Sequence, residues 1–283
     1  MTKIENPDFL VIGHVTQDTI IHKNINLDTF GGTSLYSALL SKKLGLNVAV
    51  VTSASKDFPF KKILQNFLVK NILSEHNTKF ENIYIENKRI QYVKSSAKEI
   101  DFSLIPKEWL DCKIILLAPI FKEFIYFPKI FKKGFVGCNL QGWIRDKDVN
   151  GKIHLIQNWE DIDLSGLDLV IFSNEDIKKE FWEHFALKVK YVAVTCGANG
   201  VYISESGKWN HIPGYNSNLI DSTGAGDVWA SAFMIFFYET ADLLLSAQMA
   251  NAAASLSIEG FGYSKIPNRS EIEEKFSQKR ISD

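Results

Sequence analysis

The 283-residue chain is poor in cysteine: it has three, Cys112, Cys138 and Cys196, far apart in sequence. None belongs to a C-x-x-C pair, which excludes a zinc ribbon and a thioredoxin-type redox motif. Three unpaired thiols suit a reducing compartment better than a secreted disulfide framework. Charge of one sign is also lacking. The 32 Lys and Arg stand against 33 Asp and Glu, so the basic excess of a nucleic-acid binder is missing. Long apolar runs are lacking too: the longest, residues 228–238, broken by Ser231, is too short for a bilayer and reads as a buried helix. Residues 1–8 are polar and contain no apolar stretch of the secretory kind. The expectation is a cytoplasmic protein that binds neither nucleic acid nor membrane. There is no Pro/Gly-rich linker, low-complexity segment or internal repeat, which points to a single domain over residues 1–283.

Several fingerprints are missing as well. Without GxxxxGK[ST] the chain is not a P-loop NTPase. No GxGxxG follows the first apolar run, which weighs against a dinucleotide-binding oxidoreductase. The six histidines have no HxxxH spacing, which speaks against a zinc site. GxSxG is absent, and with it the α/β-hydrolase signature.

What is present is a rhythm. Hydrophobic residues make up 46% of the chain, enough to bury a sizeable core and to exclude global disorder. Short apolar runs recur at 9–12, 48–51, 114–117, 169–172 and 191–194, without polar alternation, as in strands covered on both faces. Leu35, Ala38, Leu39 and Leu44 mark one face of a helix over 34–44, closed by Gly45. Strand, helix and strand in that order predict right-handed βαβ units around a mostly parallel sheet. Residues 79–93 break the rhythm. Their alternation, with a polar turn at Glu86-Asn87-Lys88, predicts an antiparallel hairpin. Residues 16–25 read as a further extended piece of the same small sheet.

Chemistry concentrates in Asp221-Ser-Thr-Gly-Ala-Gly-Asp227, just before the long apolar helix. Small residues let a backbone approach a ligand closely, and the first amides of a helix have no internal partners. Together with the helix dipole they suit an anion such as phosphate. Asp227 at the helix start would either cap the helix or act as a general base beside that anion.

These residues resemble the C-terminal signature of the ribokinase-like (PfkB) carbohydrate kinases, and the resemblance extends over nearly the whole chain. Phe9-Leu-Val-Ile-Gly13 followed by Asp18 resembles the family's first strand and its substrate-binding aspartate. Gly31-Gly32-Thr33 resembles the N-terminal glycine pair. Val194-Thr195-Cys196-Gly197 resembles the nucleotide-side turn, and Asn251 in an Ala-rich stretch resembles a residue beside the adenine. The resemblance implies a three-layer α/β fold: a central mostly parallel sheet, helices on both faces, and a small β lid near 14–30 and 79–94. It implies transfer of the ATP γ-phosphoryl group to a hydroxyl of a small sugar, polyol or nucleoside. Asp227 would take the hydroxyl proton, and the amides of Gly224, Ala225, Gly226 and Asp227 would hold the developing charge. Asp18, Gly31, Gly32, Thr33, Tyr36, Asn82, Arg89, Gln141 and Arg145 would contact the acceptor, and Asn174, Thr195, Gly197 and Asn251 the nucleotide. Magnesium would bridge the phosphates near Glu175, and Asp221 would join a metal or monovalent cation site. Relatives pair their lids, which implies a homodimer.

The chain also departs from the family pattern. Tyr36 stands where an Asn is usual. The magnesium-organising N-x-x-E reads Asn174-Glu175-Asp176-Ile177, with Ile in place of the last Glu. Bland readings accompany the functional ones: a turn at Asp18 and at Gly31-Gly32, a solvated strand face at Asn82 and Arg89, a loop cap at Asn251. The altered magnesium motif leaves a second class open, a non-catalytic ligand-binding protein of the same fold.

Overall fold

The computed structural model describes residues 6–22, 25–85, 88–124, 126–156 and 159–278. In chain order the elements begin with β1 (Phe9–Ile12), β2 (Thr16–His22), β3 (Ile25–Gly31), α1 (Thr33–Lys43), β4 (Val48–Ala54), α2 (Phe60–Ile63) and β5 (Leu68–Leu73). Next come β6 (Thr78–Ile85), β7 (Lys88–Ser95), β8 (Ile114–Leu117), β9 (Phe135–Asn139), β10 (Arg145–Lys147), β11 (Ile153–Leu155) and β12 (Leu169–Ser173). The rest are α3 (Trp182–Ala186), β13 (Tyr191–Thr195), β14 (Val201–Glu205), β15 (Lys208–Ile212), α4 (Ala225–Thr240), α5 (Leu243–Ser257) and α6 (Arg269–Phe276).

Nine strands form the central sheet in the order β15-β14-β13-β12-β9-β8-β1-β4-β5. All neighbours are parallel except the pairs β13–β14 and β14–β15. The apolar runs read from sequence are its middle. In β1, Phe9 and Val11 enter one core while Leu10 and Ile12 enter the other, because strand side chains alternate faces. The first core lies under α1, α4, α5 and α6.

The second face is covered differently. Among the described residues its helical cover is α3 and single 3₁₀ turns, such as those at Phe102–Leu104 and Lys107–Asp111. Pro106, Pro119 and Pro128 interrupt residues 96–134, and proline inside a helix costs a hydrogen bond and a clash. Trp109, Phe124, Phe127, Phe131 and Trp143 fill the space instead, each large enough to cover sheet without a regular backbone.

A second sheet runs β3-β2-β6-β7. The expected hairpin is β6–β7, antiparallel with Asn82 opposite Gln91 and Tyr84 opposite Arg89. Of the turn expected at Glu86-Asn87-Lys88, the first two residues lie outside the described residues and Lys88 already opens β7. The extended segment expected at 16–25 is β2 and the start of β3, and β2 pairs in parallel with β6. The inward set on β2 and β6 is Thr16, Asp18, Phe80 and Asn82, all buried, so this sheet faces the rest of the molecule rather than solvent. A short pair β10–β11, not expected from sequence, bridges to Tyr92 of β7 through Lys152.

Candidate active site

Gly224 opens α4 in the left-handed region, φ 79°, which glycine adopts at little cost. A Cβ there would fall 2.3 Å from the ring of Tyr36, so the turn and α1 meet only over a glycine. The Gly224 carbonyl accepts from the amides of Asp227 (3.0 Å) and Val228 (2.9 Å), and Ser222 O accepts from Ala225 N–H at 3.2 Å. The amides of Gly224 and Gly226 have no protein acceptor among the described residues. Above Gly226 the space is open. Of the four amides expected to hold charge, those of Ala225 and Asp227 are thus already engaged.

The Asp227 carboxylate does not cap the helix. Its Oδ1 accepts from Asn139 Nδ2 at 3.1 Å, and its carbonyl accepts from Ser231 Oγ (2.8 Å) and Ser37 Oγ (3.2 Å). The residue is only partly accessible. Burial pushes its pKa up to about 6, against the pull of Thr33, Arg145, Arg89 and Asn139.

The second carboxylate, Asp18, lies on β2 of the small sheet. Its side chain is 8% exposed, and Oδ1 is buried with no hydrogen-bond partner among the described residues. Burial raises this carboxyl to about 6 as well, opposed by Thr16 and Arg89. Gly31 lies directly beneath Asp18 Oδ2, and Gly32 and Thr33 lead into α1. Asn82 is 4% exposed and accepts from Gln91 Nε2 at 2.9 Å, so it sits on the inner face and not on a solvated one. Arg89 is exposed, yet its charge reaches Asp18, Asp227, Asp176 and Arg145. The Tyr84 hydroxyl lies 3.3 Å from Thr223 Oγ1, which ties the small sheet to the glycine-rich turn. Burial, with Asp221, Asp227, Asp18 and Tyr84 nearby, drives the Tyr36 phenol above its usual range, so it stays neutral.

Arg145 is 5% exposed on β10. Burial and Arg89 lower its pKa to about 10, while Asp176, Asp227 and Glu123 oppose them, and it remains charged at neutral pH. Gln141 lies in the 3₁₀ turn after β9, its amide 3.4 Å from Asn139 Oδ1. Asn139 therefore holds both that turn and the Asp227 carboxylate. It was not a candidate from sequence; its one signal is an Asn at the end of a buried strand.

The donor-side candidates lie at the ends of β12 and β13. Asn174 is exposed and its amide donates to Thr195 O at 3.0 Å, while Thr195 Oγ1 is 3.4 Å from Phe172 O. Gly197 starts the next 3₁₀ turn. A cavity of about 730 Å³ opens beside them, lined by Asn174, Lys178, Trp182, Ala198, Tyr202 and His211 among others. Asn251 stands behind Pro213, which lines that cavity, and is fully used. Its Oδ1 accepts from Trp229 Nε1 at 2.8 Å, and its Nδ2 donates to the carbonyls of Ile212 (3.1 Å) and Pro213 (2.9 Å). Asp221 braces loops: one oxygen accepts from Thr223 N–H and the other from Gly262 N–H, each at 2.9 Å.

Among the described residues no three His, Cys, Asp or Glu side chains form a metal-holding cluster. Ile177 is 2% exposed and buried in the second core, so a carboxylate at that position would point away from the cleft. Glu175 is exposed, whereas Asp176 faces Arg145 and Arg89, and burial raises its pKa. These residues fit a magnesium ion held mainly by donor phosphates and water, with one or two carboxylates at most.

Residues 154–270 match the pfkB family carbohydrate kinase pattern. The ribokinase of Lactococcus lactis is 26% identical over 270 residues, covering 89% of this chain and 87% of that enzyme. The chain is thus similar to ribokinases over most of its length and carries the pfkB family pattern in its C-terminal part. Ribokinases and PfkB kinases are phosphotransferases with a hydroxyl acceptor. The ribokinase of Bacillus subtilis is 38% identical over 96 residues, a match spanning 34% of this chain and only 33% of that enzyme. Among solved folds, a pyrophosphate-dependent kinase of the ribokinase family, complexed with a pyrophosphate analog and myo-inositol, superimposes with a TM-score of 0.79 at 22% identity. It covers 94% of this chain and 99% of its own. Arabidopsis thaliana ribokinase, complexed with ribose and ATP, gives 0.75 at 17% identity, over 97% and 100% of the two chains.

Proposed function

We propose that this protein is a kinase of the PfkB type that transfers the γ-phosphoryl group of ATP to a hydroxyl of a small polyhydroxylated acceptor: a sugar, polyol or nucleoside. The observation that supports it best is the pairing of two carboxylates with different freedom. Asp227 is held at one oxygen by Asn139 beside two unengaged amides, while Asp18 presents a buried, unpartnered oxygen. A buried acceptor atom without a donor destabilises the fold, and a ligand hydroxyl supplies that donor. With the acceptor bound to Asp18, its reacting O–H gives its proton to Asp227. The acceptor oxygen forms the new O–P bond as the bond to the leaving phosphate breaks. Gly224 and Gly226 amides, the α4 dipole and Arg145 meet the negative charge of the transferred group. Magnesium, when bound, adds neutralising charge along the phosphates. The small sheet excludes water, so that the donor is not hydrolysed instead.

Pyrophosphate is a second reading for the donor. Asn251, assigned to the nucleotide by resemblance, is committed to Trp229 and the 212–213 backbone, which favours a donor that needs no base contact there. The test offers the purified protein ATP or pyrophosphate with pooled sugars, polyols (myo-inositol among them) and nucleosides, followed by phosphorus NMR. A new phosphomonoester with either donor supports the kinase and names the donor. No product from any acceptor favours the non-catalytic binding reading.

A further inference from the structure

The small sheet is joined to the α/β body at four crossings: residues 13–16, 31–33, 73–78 and 95–100. All four meet at one buried side chain and its backbone. His14, 1% exposed, lies in the first crossing. Its carbonyl sits so close to Gly32, in the second, that a Cβ added there would fall 2.5 Å from it. Its Nδ1 is 2.7 Å from Thr78 Oγ1, at the end of the third. Its Nε2 is 3.0 Å from Lys98 O, in the fourth.

The partners fix the proton. A carbonyl only accepts, so Nε2 carries the hydrogen and Nδ1 accepts from the Thr78 hydroxyl. Thr78 Oγ1 in turn accepts from Ala97 N–H at 2.9 Å. The chain of bonds runs one way, from Ala97 through Thr78 and His14 to Lys98, and every member is satisfied. Burial lowers the pKa of the imidazole and keeps it neutral, against the pull of Glu123. The hub is bolted to the segment that follows β8 by that same Glu123, itself 1% exposed. Its carboxylate accepts from the amides of His14 (3.2 Å), Ile120 (2.7 Å) and Phe121 (2.7 Å), and its carbonyl accepts from Ile100 N–H (2.9 Å). Thr52 Oγ1 of β4 accepts from Val15 N–H at 2.9 Å.

Asp18 lies on β2, four residues beyond His14, and Asn82 lies on β6, four beyond Thr78. The angle at the hub is thus carried directly to both inner-face polar groups. We propose that His14, with Thr78, is a positioning pair that sets the small sheet over Asp227 and so fixes where the acceptor is held. It touches neither reacting atom. This inference rests on the proposed kinase reading for its kinetic arm only.

Thr78→Val removes the hydroxyl while keeping the shape, and Thr78→Ser restores it. In Thr78→Val the acceptor KM should rise about tenfold, with donor KM and kcat within about threefold. Donor hydrolysis without transfer should increase, and Thr78→Ser should return all three to the wild-type values. Hydrogen exchange, which needs no turnover, should quicken across residues 79–95 but not in β1, β8 or β12. His14→Gln, which cannot reach both partners at once, should reproduce the Val pattern. An unchanged acceptor KM and unchanged exchange in both variants would overturn the proposal. So would a lowered melting temperature with uniformly faster exchange, which marks a merely structural contact. If wild-type protein phosphorylates nothing, the kinase reading fails and the exchange comparison alone decides this one.

Discussion

Asp18 and Asp227 are both raised from their usual 3.8 to about 6 by burial. A carboxyl whose folded pKa lies above its unfolded one binds more protons folded than unfolded between those two values. Stability is therefore full below about pH 4, falls as pH rises to about 6, and stays reduced above. Each carboxylate destabilises the fold at neutral pH. Asp18→Asn and Asp227→Asn should thus raise the melting temperature at pH 7.5 by about 2–4 °C for each kcal/mol recovered. The gain should vanish at pH 4, as calorimetry at both pH values would show. A lower melting temperature at pH 7.5 would mean that Arg89 and Arg145 depend on these carboxylates more than burial penalises them. Tyr36, one of the residues that depart from the family pattern, has a structural correlate in its place under Gly224.

The glycine-rich turn and α1 form one unit at that contact. Gly224→Ala forces a left-handed residue, costing about 1–2 kcal/mol, and drives a methyl into the Tyr36 ring, costing roughly 1–3 kcal/mol more. Tyr36→Ala should relieve only the second part. A double-mutant cycle by denaturant unfolding should therefore show coupling of the order of 1 kcal/mol or more. Strict additivity would mean that the turn and α1 move apart freely. Elements of this kind differ in how legible they are. The strands of the central sheet and α4 are plain in sequence, because burial on both faces demands unbroken apolar runs. The β6–β7 hairpin is plain because one inner and one outer face impose alternation. The segments on either side of β8, residues 96–113 and 118–134, are not, since aromatic side chains fill the second face without any backbone period. The β10–β11 pair is too short to leave a pattern, although it carries Arg145.

Across the whole molecule, the site draws on residues from Asp18 to Asp227, brought together by the parallel crossovers and the small sheet. The order of the short motifs carried the resemblance to the PfkB kinases and made Asp227 the candidate base. It could not reveal that Asn139 holds Asp227, that Asn251 is a brace between α5 and the 212–213 backbone, or that the Ile177 side chain points into the core. Those facts depend on which way a side chain faces after folding, and neighbours in space supply that information. The central claim is that Asp227 removes the proton from the acceptor hydroxyl. The most direct measurement is turnover of Asp227→Asn beside wild type, with the acceptor found by screening and donor affinity measured by calorimetry. The account predicts a loss of about 10²–10⁴ in kcat with donor affinity kept, and a wild-type rate that declines below about pH 6. Turnover in Asp227→Asn within a few-fold of wild type would contradict it.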